Sequence, residues 1–411
     1  MMRNRVRFFL YLTTVAILVA SRAVPVRAAV ANFCWCGFFA VSSEQENEKK
    51  LAVQLEQVYR HHLQHYENRE NGVIAKLLRR LKWDEMNYYG YVALPRNADG
   101  DYPEELENLE TTYGLFLAVE QVLGFAPDIT RVNGQNVKTY TTYIFGSLNL
   151  FHLESRQLIS SRPFFIIHSD RKPGDSAAML DLALEKFARR LDNPEDRFTK
   201  AMLKQWQDFF GPPGEQRDVV RRAEGALDET FGVAPLCPGC IRIKGDRLDE
   251  SSEKQLKTFI RAYFNARMAK FRPVVFLPAF RGRIIESVQT LITTTKEGDV
   301  TYTDECLSGY DDSGQTQLCI RFPAPRNLVK LSLRCLVEEE ALQGVGEGSR
   351  KRTYNTVLDI ALFFPGRQEP KIKALSNVYE QLLSSTRKPS PLYYFNSVIN
   401  AIAPMPAETL E

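Results

Sequence analysis

The run KTYTTYIFGSLNLFHLESRQLISSRPFFIIH, residues 138–168, decides the fold class of this chain. Aromatic and β-branched residues dominate 138–153 and 157–168, and both runs alternate in character as strands do. The polar residues 154–156 stand between them. A short polar turn between two alternating runs is typical of a β-hairpin. The sequence therefore predicts antiparallel sheet in this part of the chain.

The turn side of this hairpin resembles a known family. The run GSLNLF (146–151), continuing to Arg162, is similar to the strand pairs of bacterial envelope lipoproteins such as the curli-secretion family. The resemblance is confined to the hairpin and includes no diagnostic motif. It implies paired strands and no function.

Segments of helical and extended pattern surround the hairpin. Apolar residues at helical spacing predict helices over 44–68, 109–123, 175–191, 253–271 and 372–383. Alternating or β-branched runs predict strands over 88–95, 316–322, 328–336 and 353–364. The Pro-rich tail from Lys388 is predicted to be only partly ordered. Because antiparallel hairpins are mixed with helices, we expect an α+β (mixed α/β) fold.

Two stretches of the chain share a pattern that indicates an internal duplication. A basic helical segment precedes a strand ending in Leu-Pro at Pro95, and the same order recurs at Pro278. Shared strand composition is the alternative explanation. The GPPG cluster at 211–214 is the best internal boundary. We expect a signal peptide at 1–28, an N-terminal helical segment at 29–82, a first α/β unit at 83–210, a linker with a CPGC turn at 211–252, a second α/β unit at 253–385 and a Pro-containing tail at 386–411.

The sharpest motif is CPGC, with its cysteines at Cys237 and Cys240. Such a pair can be a structural disulfide, a redox dithiol or half of a zinc site. A thioredoxin-type site needs its first cysteine at a helix N-terminus, where the helix dipole lowers the thiol pKa. Here Pro and Gly suit a turn, and the following residues 241–243 have the pattern of a strand. A structural disulfide is the favoured interpretation.

The remaining cysteines suggest one further disulfide. Cys306 and Cys319 flank a turn-rich loop, and a bond between them closes a loop of about 14 residues, which stabilises by roughly 3 kcal/mol in the chain-entropy model. The chain has seven cysteines, so at least one is free or pairs with another chain.

Two histidines have the spacing of a metal pair. His61 and His65 are four residues apart on the predicted first helix and share one face. No third ligand is evident, and His62 stands where a zinc-protease helix places its Glu. A solvated polar face is therefore the favoured interpretation, and no metal or cofactor is predicted.

The first 28 residues have the three parts of a secretory signal peptide. Arg3, Arg5 and Arg7 make a positive start, and 8–20 is an apolar run shorter than the roughly 20 residues that span a bilayer. Val26 and Ala28 then stand at positions −3 and −1 of a suitable cleavage site. An uncleaved membrane anchor is the alternative. The sequence thus predicts export to the periplasm or the cell exterior, with no stable transmembrane span after cleavage.

The positive charge of the chain lies in this predicted signal. The whole chain carries 53 Lys and Arg against 50 Asp and Glu, a net charge of +3. Its first 28 residues hold five arginines and no acid, so the balance turns slightly negative without them. No overall field remains that indicates binding to nucleic acid or anionic lipid.

These observations favour a binding protein over an enzyme. No nucleophile elbow, phosphate loop or dinucleotide fingerprint occurs in the sequence. The sequence predicts an exported, non-catalytic envelope (periplasmic) protein that binds a protein partner through sheet edges or an exposed helix, without nucleic acid. The alternative is a thiol-disulfide oxidoreductase that uses Cys237 and Cys240.

Overall fold

A computed structural model describes most of the chain. The described residues are 32–40, 47–55, 87–91, 109–132, 135–170, parts of 181–190 and of 196–200, 230–271 except 235 and 238, 302–311, 314–323, 325–343, 349–383 and 391–410.

Twelve strands and two long helices make up the described part. The strands are β1 (Asn32–Ala40), β2 (Asn87–Tyr91), β3 (Thr112–Val132), β4 (Gln135–His152), β5 (Leu158–Asp170), β6 (Phe231–Val233), β7 (Ile241–Lys244), β8 (Tyr302–Asp311), β9 (Gly314–Pro323), β10 (Asn327–Ala341), β11 (Arg350–Phe363) and β12 (Lys371–Leu383). The helices are α1 (Glu250–Met268) and α2 (Leu392–Ile402), with 3-10 turns at Leu109–Thr111 and Ala407–Leu410. Residues 47–55 and the described part of 181–190 are also helical. The chain is α+β, as predicted.

Sheet A holds seven strands in the order β5-β4-β3-β1-β8-β9, with β2 also paired to β1. Strand β1 runs parallel to β2 and β3, whereas β3, β4 and β5 form an antiparallel meander. The β4–β5 pairing confirms the predicted hairpin. The two end strands, β5 and β9, approach each other at one point. There the Arg321 amide of β9 donates to the carbonyl of Arg156, in the turn before β5, at 2.8 Å.

Sheet B has the order β12-β11-β10-β6, and β7 also pairs with β10. Strands β6 and β7 run parallel to β10 along successive stretches of the same edge, while β10, β11 and β12 are antiparallel. Buried and more exposed residues alternate along β10 and β11. One face of sheet B therefore packs on the core and the other faces outward.

Helix α1 lies between the two sheets. It was predicted over 253–271 and begins earlier because Asp249 caps it: the carboxylate accepts hydrogen bonds from the Ser252 amide at 2.8 Å and hydroxyl at 2.7 Å. Phe259 of α1 is fully buried and packs edge-on against Tyr143 of β4 and Phe395 of α2. Burying such a side chain stabilises the fold by about 2–3 kcal/mol. This contact joins sheet A and both helices in one core.

The helix predicted over 109–123 is wrong. After a 3-10 turn, the chain enters β3 at Thr112. Every residue of 115–119 is buried, so both faces of β3 are covered. A strand covered on both faces has a continuous apolar run instead of alternation, and such a run does not distinguish strand from helix.

The helix predicted over 372–383 is also wrong, because this segment is β12. Ile372, Leu375, Tyr379 and Leu382 follow helical spacing, but in the strand they lie on two different faces. Leu375 and Tyr379 pack against the core, while Ile372 and Leu382 face outward. Apolar residues on both faces of one strand produced the helical pattern.

The Pro-containing tail, 386–411, is more ordered than predicted. Its residues 392–402 form α2, which begins directly after Pro391. Proline suits this place because the first helical turn needs no backbone N–H donor from it. Phe395 and Ile402 are fully buried, so the tail forms part of the core.

Sheet A draws its strands from distant parts of the sequence. It takes β1 from segment 29–82, β2 to β5 from 83–210 and β8 and β9 from 253–385. The division into two α/β units and the internal duplication remain predictions.

Candidate functional site

The CPGC turn joins β6 to β7 along the edge of β10. The Sγ atoms of Cys237 and Cys240 lie at bonding distance, with their Cα atoms 5.2 Å apart. Gly239 has φ +77°, a conformation that glycine adopts without steric cost. The Cys240 carbonyl accepts the Leu333 amide of β10 at 2.8 Å. The residues after the motif form a strand, so no helix N-terminus lowers a thiol pKa here, and this position favours the structural disulfide over the redox pair.

The other cysteines divide into a facing pair and buried thiols. Cys306 of β8 stands directly opposite Cys319 of β9 in the hairpin register. Cys34, Cys36 and Cys335 are free and buried. Burial raises the pKa of the Cys36 and Cys335 thiols, which makes them poor nucleophiles.

The structure offers no support for a metal or membrane-spanning site within its described part. His61 and His65 lie outside the described residues. Across the described ranges, no group of three or more His, Cys, Asp and Glu side chains is placed to hold a metal ion. None of the helices in the described part is both long and apolar enough to cross a membrane.

Strand β12 forms one end of sheet B. It pairs with β11 along 13 residues on one side, and no described strand lies on its other side. Every second residue of an edge strand directs its N–H and C=O away from the sheet, where another strand can bind them. Lys371 and Lys373 lie at the start of β12, and lysine is common on edges that avoid unwanted pairing.

The outward face of β12 is apolar. Ile372, Val378 and Leu382 are 69%, 60% and 63% exposed, and Leu336 of β10 on the same face is 42% exposed. Single exposed apolar residues are common on protein surfaces. Here three apolar side chains are exposed on one strand whose backbone groups are also available for pairing, and such a combination is typical of an interaction site. This open edge and its three side chains are called the β12 edge below.

The inward face fixes the β12 edge to the core. Tyr379 packs against Tyr354 of β11 with ring centroids 6.0 Å apart, and Leu383 is buried. The Lys373 ammonium donates to the carbonyl of Glu408, in the 3-10 turn after α2. The core therefore holds β12 in place before a partner binds. Little conformational entropy is lost when a second strand is added to it.

A buried charge site lies on sheet A. Glu120 occupies a bulge of β3, between Val119, which faces Gly146, and Gln121, which faces Phe145. A bulge redirects its side chain out of the normal alternation. The Glu120 Oε1 atom is enclosed without a hydrogen-bond partner.

The electrostatics of this site follow from burial. Burial raises the pKa of Glu120 to about 7, against the smaller opposing effects of Arg261 and a hydrogen bond with Ser147. Arg261 comes from α1, is buried, and donates from Nε to the Val233 carbonyl of β6 at 3.0 Å. Burial lowers its pKa to about 10. Glu120 is therefore a group that can exchange a proton near neutral pH inside the fold.

A second buried charge site lies on sheet B. The Arg352 guanidinium is enclosed, lies 2.5 Å from the Asp246 carboxylate and 3.4 Å from Glu339, and stands over the Tyr354 ring. The Tyr394 hydroxyl of α2 donates to the same Asp246 oxygen at 2.5 Å. The Asp246 carboxylate, just after β7, joins Arg352 of β11 to Tyr394 of α2, and Glu339 adds a contact from β10.

Glycine is required next to this site. Gly245, just before Asp246, has φ +87°, and a Cβ there would collide with the Val337 carbonyl. Only glycine combines this left-handed conformation with so close a backbone approach. The sequence analysis missed both charge sites, since neither has a local motif.

Comparison with known proteins gives no family. No family model and no curated protein matches the chain. Three solved structures are similar over part of it. A putative neuraminyllactose-binding hemagglutinin homolog from Helicobacter pylori is 11% identical over 44% of this chain and 90% of its own, with a TM-score of 0.23. A DUF330 protein from Xanthomonas campestris is 13% identical over 44% and 92%, with a TM-score of 0.19. A hypothetical protein from Chlamydia trachomatis is 11% identical over 43% and 98%, with a TM-score of 0.21. At these values the likenesses carry no argument about fold or function.

Proposed function

We propose that this chain is an exported, non-catalytic envelope protein that binds a protein partner by accepting an extended segment along the β12 edge. The observation that carries the proposal is that no strand of the described part pairs with the outer side of β12, where Ile372, Val378 and Leu382 are exposed. Strand addition of this kind takes affinity from backbone hydrogen bonds and specificity from alternate side chains.

The geometry supplies both contributions. A 13-residue strand offers about six unpaired backbone positions to a partner, because every second residue directs its polar groups outward. The three apolar side chains lie on one face and can cover apolar side chains of the added strand. Since the other face of β12 packs on Tyr354 and the core, the strand stays in place before binding.

Export is supported by the signal-like residues 1–28. The expected product in the native compartment is a mature chain that begins at Ala29. N-terminal sequencing of protein purified from that compartment tests this directly. A chain that retains residues 1–28 and sediments with membranes would favour the anchor alternative.

Binding at the β12 edge is tested by site-specific photo-crosslinking in the native compartment. A photoreactive residue in place of Val378 is expected to trap a second polypeptide. The same residue in place of Leu336 is the matched control, because Leu336 lies on the same face of sheet B but on β10. Crosslinks that are equal at both positions, or absent at 378, would overturn the proposal.

A second variant separates binding from folding. Val378→Lys leaves the core side of β12 untouched, so the urea midpoint of unfolding should stay close to that of the original chain. Crosslinking through a photoreactive residue at 382 is expected to fall about tenfold or more, because the added charge must be desolvated against the incoming strand.

A further inference from the structure

We infer that Cys34 and Cys36 of β1 are joined by a disulfide bond in the exported chain, and that this bond forms before β1 is buried in sheet A. The structure describes both residues as free thiols. The inference rests on the proposed export, because disulfide bonds form and persist in oxidising compartments. The contact between the two sulfur atoms, the local shape of β1 and the pairing of the other cysteines support it.

The sulfur atoms of Cys34 and Cys36 already lie in contact. Their Sγ atoms are 3.7 Å apart, within a buried apolar cluster of sheet A. In a disulfide the two sulfur atoms lie about 2.05 Å apart, so each atom has to move by only about 1 Å. The two thiols are therefore positioned for a bond to each other.

The local shape of β1 favours this bond. Residues i and i+2 of a strand project to the same face with Cα atoms about 6.6 Å apart, inside the range of about 4.4–6.8 Å that disulfides span. The register between β1 and β3 shifts between Trp35 and Gly37, so Cys36 is the extra residue of a bulge. Two residues take the place of one in a bulge, which bends and shortens the strand. The bulge thus brings Cys34 and Cys36 closer together than a regular strand does.

The other cysteines leave this pair to itself. The two cysteines of the CPGC turn are bonded to each other. Cys319 is disulfide-bonded, and the residue opposite it in the β8–β9 hairpin is Cys306. Cys335 belongs to the core cluster beside sheet B, which is separate from the cluster that holds Cys34 and Cys36. A bond between Cys34 and Cys36 therefore leaves Cys335 as the odd seventh cysteine.

Burial requires the bond to form early. In the folded chain Cys34 and Cys36 are 0% and 2% exposed, so an oxidant in solution does not reach them. Burial also raises the pKa of the Cys36 thiol, which lowers its reactivity. In the unfolded chain both thiols are accessible, close to the N-terminus of a mature chain that begins at Ala29.

The bond forms by exchange with a disulfide oxidant, either a small molecule or a protein. The thiolate of one cysteine attacks a sulfur atom of the oxidant and displaces one thiolate, which leaves a mixed disulfide. The thiolate of the second cysteine then attacks the sulfur of the first and displaces the other thiolate. Cys34 and Cys36 together lose two electrons and two protons, and these convert the disulfide of the oxidant to two thiols.

The bond fixes the shape of the strand that joins the two parts of sheet A. Strand β1 pairs with β3 on one side and with β2 and β8 on the other. Because the closed loop is so short, the chain-entropy contribution of the bond to stability is small. The covalent state of the two cysteines is therefore the decisive measurement.

Mass spectrometry of the full chain from its native compartment tests the bond. The chain is denatured without reductant, alkylated with N-ethylmaleimide and digested with trypsin. The peptide from Ala29 to Lys49 contains Cys34 and Cys36 and no other cysteine. We expect this peptide to carry no alkyl group and to be lighter by two hydrogen atoms than its reduced form, while Cys335 is alkylated. An alkyl group on Cys34 or Cys36, or a bond from either to another cysteine, overturns the inference.

The remaining cysteines distinguish failure of the inference from failure of the proposed export. If the CPGC cysteines and Cys319 are oxidised while Cys34 and Cys36 are alkylated, the inference fails and export stands. If every cysteine is alkylated, the compartment is reducing and both proposals are overturned. Cys36→Ser is expected to leave Cys34 alkylated, whereas the matched control Cys335→Ser should leave the Ala29–Lys49 peptide without an alkyl group.

Refolding of the mature full-length chain tests the order of oxidation and burial. Reduced, denatured chain is refolded with oxidised glutathione present from the start, or with the oxidant added after circular dichroism shows that folding is complete. The Cys34–Cys36 bond is expected to form about tenfold faster or more in the first case, because the folded chain buries both thiols. Equal rates overturn the claim that the bond precedes burial. Absence of the bond in both cases, with the CPGC cysteines oxidised, overturns the bond itself.

Discussion

Two arginines are buried among the residues that the structure describes, and their electrostatic surroundings differ. Arg352 on sheet B shares one carboxylate with a tyrosine hydroxyl, and Asp246 keeps 28% of its side chain exposed to solvent. Arg261 of α1 is buried near Glu120 of sheet A, whose Oε1 has no hydrogen-bond partner. The pKa of Glu120 rises to about 7 because burial outweighs the attraction of the arginine.

The difference shows what a buried arginine needs. A carboxylate that accepts from two donors and retains contact with water stays a good counter-ion. An enclosed carboxylate with an unpartnered oxygen gains by taking up a proton. Removing the carboxylate of the sheet B site would therefore leave a buried charge uncompensated, whereas the sheet A site makes stability depend on pH.

The largest expected effect comes from removing the charge of Asp246. Asp246→Asn leaves Arg352, whose side chain is only 3% exposed, without its closest carboxylate. Breaking a buried ion pair from one side costs about 3 kcal/mol or more of the free energy of unfolding. Urea unfolding of the variant and the original chain at pH 7 measures it.

The matched control is Glu339→Gln. Glu339 is the second carboxylate near Arg352, at 3.4 Å, but its side chain is 37% exposed. Its loss should cost about 1 kcal/mol or less, as exposed pairs do. Equal losses for the two variants would show that Asp246 is not the main counter-ion.

The next effect is the pH dependence from Glu120. Its pKa rises from 4.5 in the unfolded chain to about 7 in the folded chain, so between these values the folded chain holds a proton that the unfolded chain has released. The free energy of unfolding is therefore highest below pH 4.5 and falls as the pH rises to 7, by up to about 3 kcal/mol from this group. Urea titrations from pH 4.5 to 8 measure the change.

Glu120→Gln isolates this contribution from those of other acids. The variant keeps the shape and cannot ionise, so its stability relative to the original chain should rise across the same pH window and level off above pH 7. At pH 8 we expect the variant to be the more stable of the two. Parallel curves for the two proteins would show that Glu120 does not titrate in this range.

The sequence predicted what is local and missed what is assembled across the chain. The β4–β5 hairpin was found because its alternation and its turn lie within 138–168. Helix α1 was found from its apolar spacing, and Asp249 explains its earlier start. Segment 372–383 was mistaken for a helix because β12 is apolar on both faces, and only the position of β12 at the end of sheet B makes it a strand.

The candidate sites show the same limit. A sheet edge was expected to bind a partner. Which strand forms that edge depends on the strand order, and no local stretch of sequence specifies the strand order. Arg352 meets Asp246 because β11 and the end of β7 both lie beside β10. Arg261 acts electrostatically on Glu120 because the bulge of β3 and α1 bring the two groups into the same part of the core. No local sequence motif around these arginines and carboxylates predicts either site.

Apart from the control variants, the smallest expected effect is found by comparing two tyrosines of the sheet B site. The Tyr394 hydroxyl donates to Asp246 at 2.5 Å, whereas the Tyr354 hydroxyl is enclosed without a hydrogen-bond partner. Tyr394→Phe removes a hydrogen bond to a charged group and should cost about 1.5–3 kcal/mol of unfolding free energy. Tyr354→Phe removes an unsatisfied polar atom and keeps the ring under the Arg352 guanidinium, so it should be neutral or slightly stabilising. Because both changes delete a single oxygen, their difference in urea unfolding measures the Asp246 hydrogen bond itself. If Tyr354→Phe costs as much as Tyr394→Phe, the Tyr354 hydroxyl has a partner in solution, and the sheet B site extends further than Asp246, Arg352 and Tyr394.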